Sequence, residues 1–178
     1  MNDILLLAIL LEGPQHGYAL KRQAGLITGH ADMHNNLVYP LLRRFVRARW
    51  VTQKKAAGER GQTRQVYSLT ALGRQTLLAR LCDFNEAAAS SADQFRLRVG
   101  LFSVLDASSR AAILEKREAY LRQRAARFGP LESGMEIGKY GREVVGFIRR
   151  QMNAELHWIA QLRRMDRAPT RRPAANKE

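Results

Sequence analysis

The chain has 178 residues, 46% of them hydrophobic, which is enough for one ordinary domain or two small ones with a packed core. Its 30 Lys and Arg against 16 Asp and Glu give a formal net charge of +14. That charge favours a polyanionic partner, nucleic acid before an anionic membrane, although a merely basic protein is the alternative. Cys82 is the single cysteine, which excludes an internal disulfide and fits a reducing, cytoplasmic location.

The first predicted helix covers residues 3–11 and contains an apolar run of eight. Such a run is much shorter than the roughly 20 residues that cross a bilayer. No basic segment precedes it and no small-residue cleavage site follows it, so we expect neither a signal peptide nor a membrane partner. Asn2 or Asp3 is the expected N-cap, and Gly13 is expected to end the helix. A second helix is predicted over residues 16–27.

The third predicted helix, residues 36–48, separates its side chains into two faces at 100° per residue. Val38, Leu41, Leu42 and Phe45 fall on one face, and Asn36, Tyr39, Arg43 and Arg47 fall on the other. A short helix, a turn and a helix of this kind are typical of a helix-turn-helix, in which the second helix enters the major groove of DNA. Asn can bond adenine there and Arg can bond guanine. An ordinary amphipathic helix with a solvated basic face is the alternative.

A hairpin is predicted next, because residues 50–55 and 64–69 alternate in the manner of strands around a polar tip with two glycines. From Arg43 to Arg64 the chain carries eight basic residues and one acid, Glu59. Basic side chains on a hairpin would neutralise phosphates, which adds affinity and salt dependence but little specificity. Thr70 is expected to cap a further helix that reaches about residue 81.

These patterns predict that the chain docks on double-stranded DNA. The predicted DNA-binding residues are Tyr18, Lys21, Asn35, Asn36, Tyr39, Arg43, Arg44, Arg47, Lys54, Arg60, Thr63 and Arg64. For Tyr18 and Lys21 packing between the first two helices is an equally open alternative.

The second half is predicted to be helical. An apolar segment covers residues 94–105, Asp106 precedes a helix over 109–128, and Gly129 and Gly134 mark a loop. The last helix is expected over 140–165, with a stripe at the spacing of a coiled-coil seam but over too few heptads to decide. The stripe consists of Val145, Ile148, Met152, Leu156 and Ile159. The expected domains are residues 1–82 and 83–166, followed by a disordered basic tail over 167–178.

Neither enzymatic nor metal chemistry is indicated. The chain has no GxSxG, P-loop or HExxH motif and no cluster of Cys and His. Of the four histidines, including His16 and His157, only His30 and His34 are four residues apart, and Asp32 is the one acid beside them. We therefore expect no catalysis, no metal and no cofactor.

Three motifs, in order, resemble the PadR family of bacterial transcription regulators. They lie within residues 11–21 (LEGP, then HGYALK), 38–44 (VYPLLRR) and 64–74 (RQVYSLTALGR). The resemblance covers about residues 3–80, and the second half is similar to the longer class of the family, mainly at 95–101 and 155–159. One departure is residues 47–51, RARWV, which replace the acidic, Gly-containing turn usual after the recognition helix and make this face more basic.

The resemblance implies a mostly α fold with a small β-hairpin: an N-terminal winged helix-turn-helix followed by a helical, coiled-coil-like dimerisation domain. It also implies a homodimer on an inverted-repeat operator, more often repressing than activating. Two rival hypotheses are a basic nucleic-acid binder without sequence preference and a protein-interaction module that has lost DNA readout.

Some members of the family respond to phenolic acids or hydrophobic drugs. The resemblance therefore implies a small aromatic effector, and the residues expected to bind it are Phe95, Phe102, Tyr120, Phe147 and Trp158. The alternative, which we favour, is that these aromatic residues are part of the core.

Overall fold

The computed structural model describes residues 1–28, 35–57, 63–134 and 138–167, and at Thr28, Asn35, Asn36 and 129–134 it describes the backbone only. The predicted DNA-binding residue Arg60, the histidines His30 and His34, and the predicted tail beyond Arg167 lie outside the described residues. The elements are α1 Asn2–Ile9, β1 Gln15–His16, α2 Gly17–Thr28, α3 Asn35–Arg47, β2 Val51–Ala57, β3 Thr63–Leu69, α4 Ala71–Cys82, α5 Glu86–Ser90, α6 Ala92–Val99, a 3₁₀ turn Phe102–Val104, α7 Ala107–Gly134 and α8 Lys139–Arg167.

The chain divides into two compact units. Unit 1 comprises Met1–Asp83 and Arg96–Val104, and unit 2 comprises Phe84–Phe95 and Leu105–Glu178. Within the part of the chain that the structure describes, no helix is both long enough and apolar enough to cross a membrane.

Unit 1 is built on a three-stranded antiparallel sheet in the order β1-β3-β2. The hairpin of β2 and β3, hereafter the wing, pairs Val51 with Leu69 at its base and Ala57 with Thr63 at its far end. Helices α1, α2 and α3 with a hairpin behind them form a winged helix, so the predicted mostly α fold with a small hairpin is confirmed. The two-residue strand β1 was not predicted, because two residues are too few to show an alternation.

The apolar faces of the helices form the core of unit 1. Residues 4–10 are buried all along α1, which agrees with an apolar run that faces every direction. Leu20, Leu42, Phe45 and Leu77 are fully buried, so α2, α3 and α4 all contribute to one core. The expectation that Asn2 or Asp3 caps α1 was wrong, since Met1 holds that position without a side-chain cap.

The turn between α3 and β2 fixes the base of the wing. Arg49 has φ +60°, a left-handed conformation that glycine usually adopts at the end of a helix. The N–H of Trp50 donates to the carbonyl of Phe45 at 2.9 Å, as in a Schellman motif. As predicted, Thr70 caps α4, because its Oγ1 accepts from the N–H of Gly73 at 2.9 Å.

Unit 2 packs α7 against α8 and α5. Of the stripe predicted on α8, Met152 and Ile159 are buried, whereas Val145, Ile148 and Leu156 are half-buried. Asp106 precedes α7 and accepts from the N–H of Ser109 at 2.7 Å, which is N-cap geometry. The predicted loop at Gly129 and Gly134 was misplaced: α7 runs on to Gly134, and that glycine is its last residue rather than part of a loop.

A buried arginine organises the inside of unit 2. Arg117 is 3% exposed and donates through Nε and Nη2 to both carboxylate oxygens of Glu155, each at 2.8 Å. Its Nη1 also donates to the carbonyl of Ala89 in α5, so one side chain joins α5, α7 and α8. A bidentate pair of this kind compensates the charge for its removal from water, and here each of the three guanidinium nitrogens donates a hydrogen bond.

Candidate nucleic-acid interface

Helix α3 carries the predicted separation of faces. Val38, Leu42 and Phe45 are fully buried, whereas Arg43 and Arg47 are exposed and Tyr39 is half-buried. Because residues four apart lie one above the other on a helix, Tyr39, Arg43 and Arg47 form one continuous stripe. The backbone places Asn35 and Asn36 in the first turn of α3, and their side chains lie outside the described residues.

Arg44 does not lie on that stripe. Its guanidinium pairs with the carboxylate of Asp3, which also receives Arg80 of α4 at 3.1 Å. Asp3 therefore joins α1, α3 and α4 instead of capping its own helix. The predicted role of Arg44 on DNA competes with this ion pair and stays a prediction.

The two predicted residues of α2 differ in exposure. The side chain of Tyr18 is 70% exposed, so packing between α1 and α2, one of the two alternatives, does not apply to it. Lys21 is half-buried, and both residues lie on α2.

The wing presents basic side chains along its length. Lys54, Thr63 and Arg64 are exposed, and so is Lys55. Lys54 pairs with Val66 and Ala56 pairs with Arg64, which puts the side chains of Lys54 and Arg64 on the same face of the sheet. Two cations on one face are suited to following a phosphate backbone.

Charge in this part of unit 1 has a single sign. The described residues of α3, β2 and β3 include six basic side chains and no acidic one. The six are Arg43, Arg44, Arg47, Lys54, Lys55 and Arg64. Arg49 adds a seventh cation in the turn between α3 and β2. It belongs to residues 47–51, which replace the acidic, Gly-containing turn usual after the recognition helix. One positively charged surface on a helix and a neighbouring hairpin attracts a polyanion.

A residue that sequence reasoning missed lies under α3. Tyr67 of β3 is 6% exposed, and burial raises the pKa of its phenol above the ordinary value of 10.0. Tyr39 raises that pKa further, whereas the Arg43 cation acts in the opposite direction. The alternation of β3 was the available signal, because Tyr67 falls on the same face as Leu69, towards the core.

Tyr39 has a second neighbour at the start of α2. A Cβ added to Gly17 would lie 2.9 Å from Cε1 of Tyr39 and 3.4 Å from its hydroxyl oxygen. The ring of Tyr39 therefore lies directly on the backbone of Gly17, in space that any side chain there would occupy.

The residues predicted to bind an effector do not form one group. Within unit 2, the ring of Phe95 lies 5.6 Å from that of Trp158, and the guanidinium of Arg117 lies over Phe95 and Tyr120 at 5.6 and 5.3 Å. Phe95 is fully buried, whereas Phe147 is 54% exposed, and Phe102 belongs to unit 1. Arg117 thus lies over two of these rings and the third, Trp158, lies against Phe95, as expected for core residues. Effector binding at these positions stays a prediction.

A groove of about 540 Å³ runs along α7 and α8 in unit 2. Its lining includes Ala111, Leu114, Glu118 and Arg163, and none of the five residues predicted to bind an effector. Over the residues that the structure describes, no group of three His, Cys, Asp or Glu side chains is arranged to hold a metal ion.

Comparison with known proteins finds one matching family, over part of unit 1. Residues 6–79 match the family described as transcriptional regulator PadR-like, which agrees with the resemblance seen in the three motifs. No curated protein gives a significant match to the chain.

Several solved structures are similar to the chain at low identity. The crystal structure of Bacillus subtilis PadR in complex with operator DNA is 20% identical, with a TM-score of 0.45 over 92% of this chain and 98% of that one. Protein TA0346 of Thermoplasma acidophilum is 27% identical, with a TM-score of 0.43 over 59% and 93%. The protein smu.1604c of Streptococcus mutans UA159 is 15% identical, with a TM-score of 0.41 over 89% and 96%.

Proposed function

Because residues 6–79 of this chain match the model of the transcriptional regulator PadR-like family, we propose that the protein is a sequence-specific, DNA-binding transcriptional repressor. It acts as a homodimer on an inverted-repeat operator. Helix α3 reads base edges in the major groove, and the wing contacts the phosphate backbone.

The stripe of α3 is the observation that carries this proposal. Arg43 and Arg47 are exposed above a helix whose opposite face is fully buried, so their guanidinium groups are available without any rearrangement of the core. Each bidentate contact of an arginine with guanine discriminates against the wrong base by about 1–3 kcal/mol. The cations of the wing, Lys54 and Arg64, supply attraction that does not depend on sequence.

The dimer is supported by an apolar stripe on the first half of α8. Tyr140, Val144 and Phe147 are 82%, 57% and 54% exposed and recur at spacings of four and three, which aligns them on one face of the helix. Exposed large apolar side chains in a row are characteristic of an interface between proteins. In a symmetric dimer the spacing between the two α3 helices sets the spacing of the half-sites.

The experiment begins with selection of duplexes from a random library by the purified protein. Fluorescence anisotropy then compares a selected duplex with a scrambled one across a salt series. We expect a preference of about 10³-fold for the selected duplex. Arg43→Ala should reduce this preference about tenfold or more, as the loss of one bidentate contact implies. Arg127→Ala, which removes an exposed arginine from α7, is the matched control and should leave the preference unchanged.

The rival hypothesis of a basic nucleic-acid binder predicts a different result. Selection would then yield no shared sequence, and the affinity would fall steeply with salt but equally for every duplex. A preference that survives Arg43→Ala and Arg47→Ala together would instead contradict the role of α3.

A further inference from the structure

One acidic side chain reaches the basic surface of α3 from another helix. Asp3 lies in the first turn of α1, and its carboxylate pairs with the guanidinium of Arg44 in α3 and with that of Arg80 in α4, the latter at 3.1 Å. The side chain of Asp3 is 19% exposed, whereas those of Arg44 and Arg80 are 48% and 42% exposed. The two arginines thus cover much of the carboxylate that they share, and the cluster keeps a net positive charge.

Arg44 lies at the edge of the exposed face of α3. Successive residues of a helix are about 100° apart, so Arg43 stands between Leu42, which is fully buried, and Arg44, which is on the side away from the core. The ion pair with Asp3 directs the Arg44 guanidinium towards α1, and its Cζ lies 5.5 Å from the centroid of the Phe45 ring. An arginine with many rotamers is thereby held in one direction, away from the stripe.

Arg80 fixes the other side of the carboxylate. Its Cζ lies 5.1 Å from the centroid of the Trp50 ring, in the turn that leads from α3 into the wing. The carboxylate of Asp3 is therefore held by α4 as well as by its own helix. An anion in a fixed position competes better for the guanidinium of Arg44 than one on a mobile side chain.

We propose that Asp3 is a positioning residue, which holds Arg44 away from the DNA backbone and thereby limits the affinity that does not depend on sequence. This inference rests on the proposed function, in which α3 lies against DNA. A phosphate and a carboxylate accept hydrogen bonds from a guanidinium in the same forked geometry, so they compete for Arg44. Non-specific sites far outnumber operators in a genome, so a lower affinity for them favours occupancy of the operator.

The first test is Asp3→Asn, which removes the charge of the side chain and keeps its shape. Fluorescence anisotropy measures binding to the scrambled duplex across a salt series. Because the released Arg44 contacts one more phosphate, the slope of log K against log salt should become steeper by about 0.9. The affinity for the scrambled duplex should rise about fivefold or more at about 0.1 M salt.

Glu12→Gln is the matched control, because it removes the same charge from an exposed position of unit 1. It should leave the slope at the wild-type value. An equal steepening in this control would mean that net charge alone is responsible, which overturns the inference. So does an unchanged slope in Asp3→Asn.

The double variant with Asp3→Asn and Arg44→Ala tests the route of the effect. If Asp3 acts through Arg44, the slope should return to the wild-type value. A steep slope that persists would assign the effect to the released Arg80 and overturn the inference.

Arg44→Ala alone is an independent second variant, which leaves the pair of Asp3 and Arg80 in place. It should change the slope by less than about half of one phosphate contact, since an arginine held by Asp3 makes no such contact. Loss of a full contact overturns the inference. Failure of the wild-type protein to select any shared sequence would instead contradict the proposed function, and the slopes on scrambled DNA would still distinguish the variants.

Discussion

The carbonyl oxygen of Trp50 occupies the space into which a side chain at position 73 would project. A Cβ built on Gly73 would lie 2.0 Å from that oxygen and 2.8 Å from Cδ1 of Leu69. The same carbonyl accepts the N–H of Thr70 at 3.0 Å, which fixes α4 against the base of the wing. No methyl group fits at this position unless the backbone itself moves.

Gly73→Ala should therefore destabilise unit 1. Overpacking that displaces backbone costs about 2 kcal/mol, and the turn around Trp50 offers no flexible side chain to absorb the shift. Urea denaturation followed by circular dichroism measures the change in the free energy of unfolding. Gly100→Ala is the control, because the nearest atoms to its Cβ would be carbonyls at an ordinary 3.6 Å. An equal effect of the two substitutions would show that the close approach is not the cause.

Arg49→Gly should stabilise the protein. Arg49 adopts φ +60°, where the Cβ of an ordinary residue is crowded by its own backbone at a cost of about 1 kcal/mol. Glycine adopts this conformation without that cost. The free energy of unfolding should rise by up to about 1 kcal/mol, measured by the same denaturation. Arg74→Gly, within the helical turn that follows Thr70, should lower it by a similar amount, so a loss of stability in both variants would contradict the prediction.

The cap of α7 should make stability depend on acid pH. Hydrogen bonds from Ser108 and Ser109 lower the pKa of Asp106 from 3.8 to about 2. Because the folded protein holds the carboxylate more strongly, its contribution is complete above the unfolded pKa and is lost as the pH falls through about 2. Asp106→Ala should lower the thermal midpoint at pH 7, and the difference from wild type should shrink between pH 4 and pH 2. A constant difference over that range would exclude the charged cap as its source.

Phe147→Glu should weaken the proposed dimer. A carboxylate in the middle of an apolar interface loses its hydration without gaining a partner. Sedimentation velocity should show a monomer at concentrations where the wild-type protein is a dimer, while circular dichroism stays unchanged because Phe147 is 54% exposed in this chain. Asn153→Glu adds the same charge at an exposed position of α8. Dissociation by both variants would mean that charge alone, rather than the apolar stripe, controls assembly.

The sequence predicted the elements whose signals are strong and local. The two faces of α3, the alternation of the wing and the cap at Thr70 are each visible within a few residues, and the structure confirms them. The helices α5 and α6 were not assigned, because eight residues or fewer give too little periodicity. Their positions depend on contacts that are distant in sequence.

Interactions between distant residues explain most of what was missed. Asp3 looked like a helix cap, yet its partners Arg44 and Arg80 lie about 40 and 80 residues away in the chain. Arg98 lies in a segment that the sequence marked only as apolar, yet it is 2% exposed and its guanidinium donates to the carbonyls of Leu81 and Asp83 at the end of α4. A single sequence shows which residues are charged, but the folded chain decides which charges meet.

The alternation of β3 has a consequence for how such a protein can diverge. Arg64 and Tyr67 are three residues apart and so point to opposite faces of the sheet, one outward and the other towards α3. Insertions between the two strands leave both orientations intact, whereas deletion of one residue between Arg64 and Tyr67 would put both side chains on the same face of the sheet. Over evolutionary time the wing is thus free to vary in length at its tip, whereas the paired part of β2 and β3 tolerates insertions or deletions only of two residues at a time.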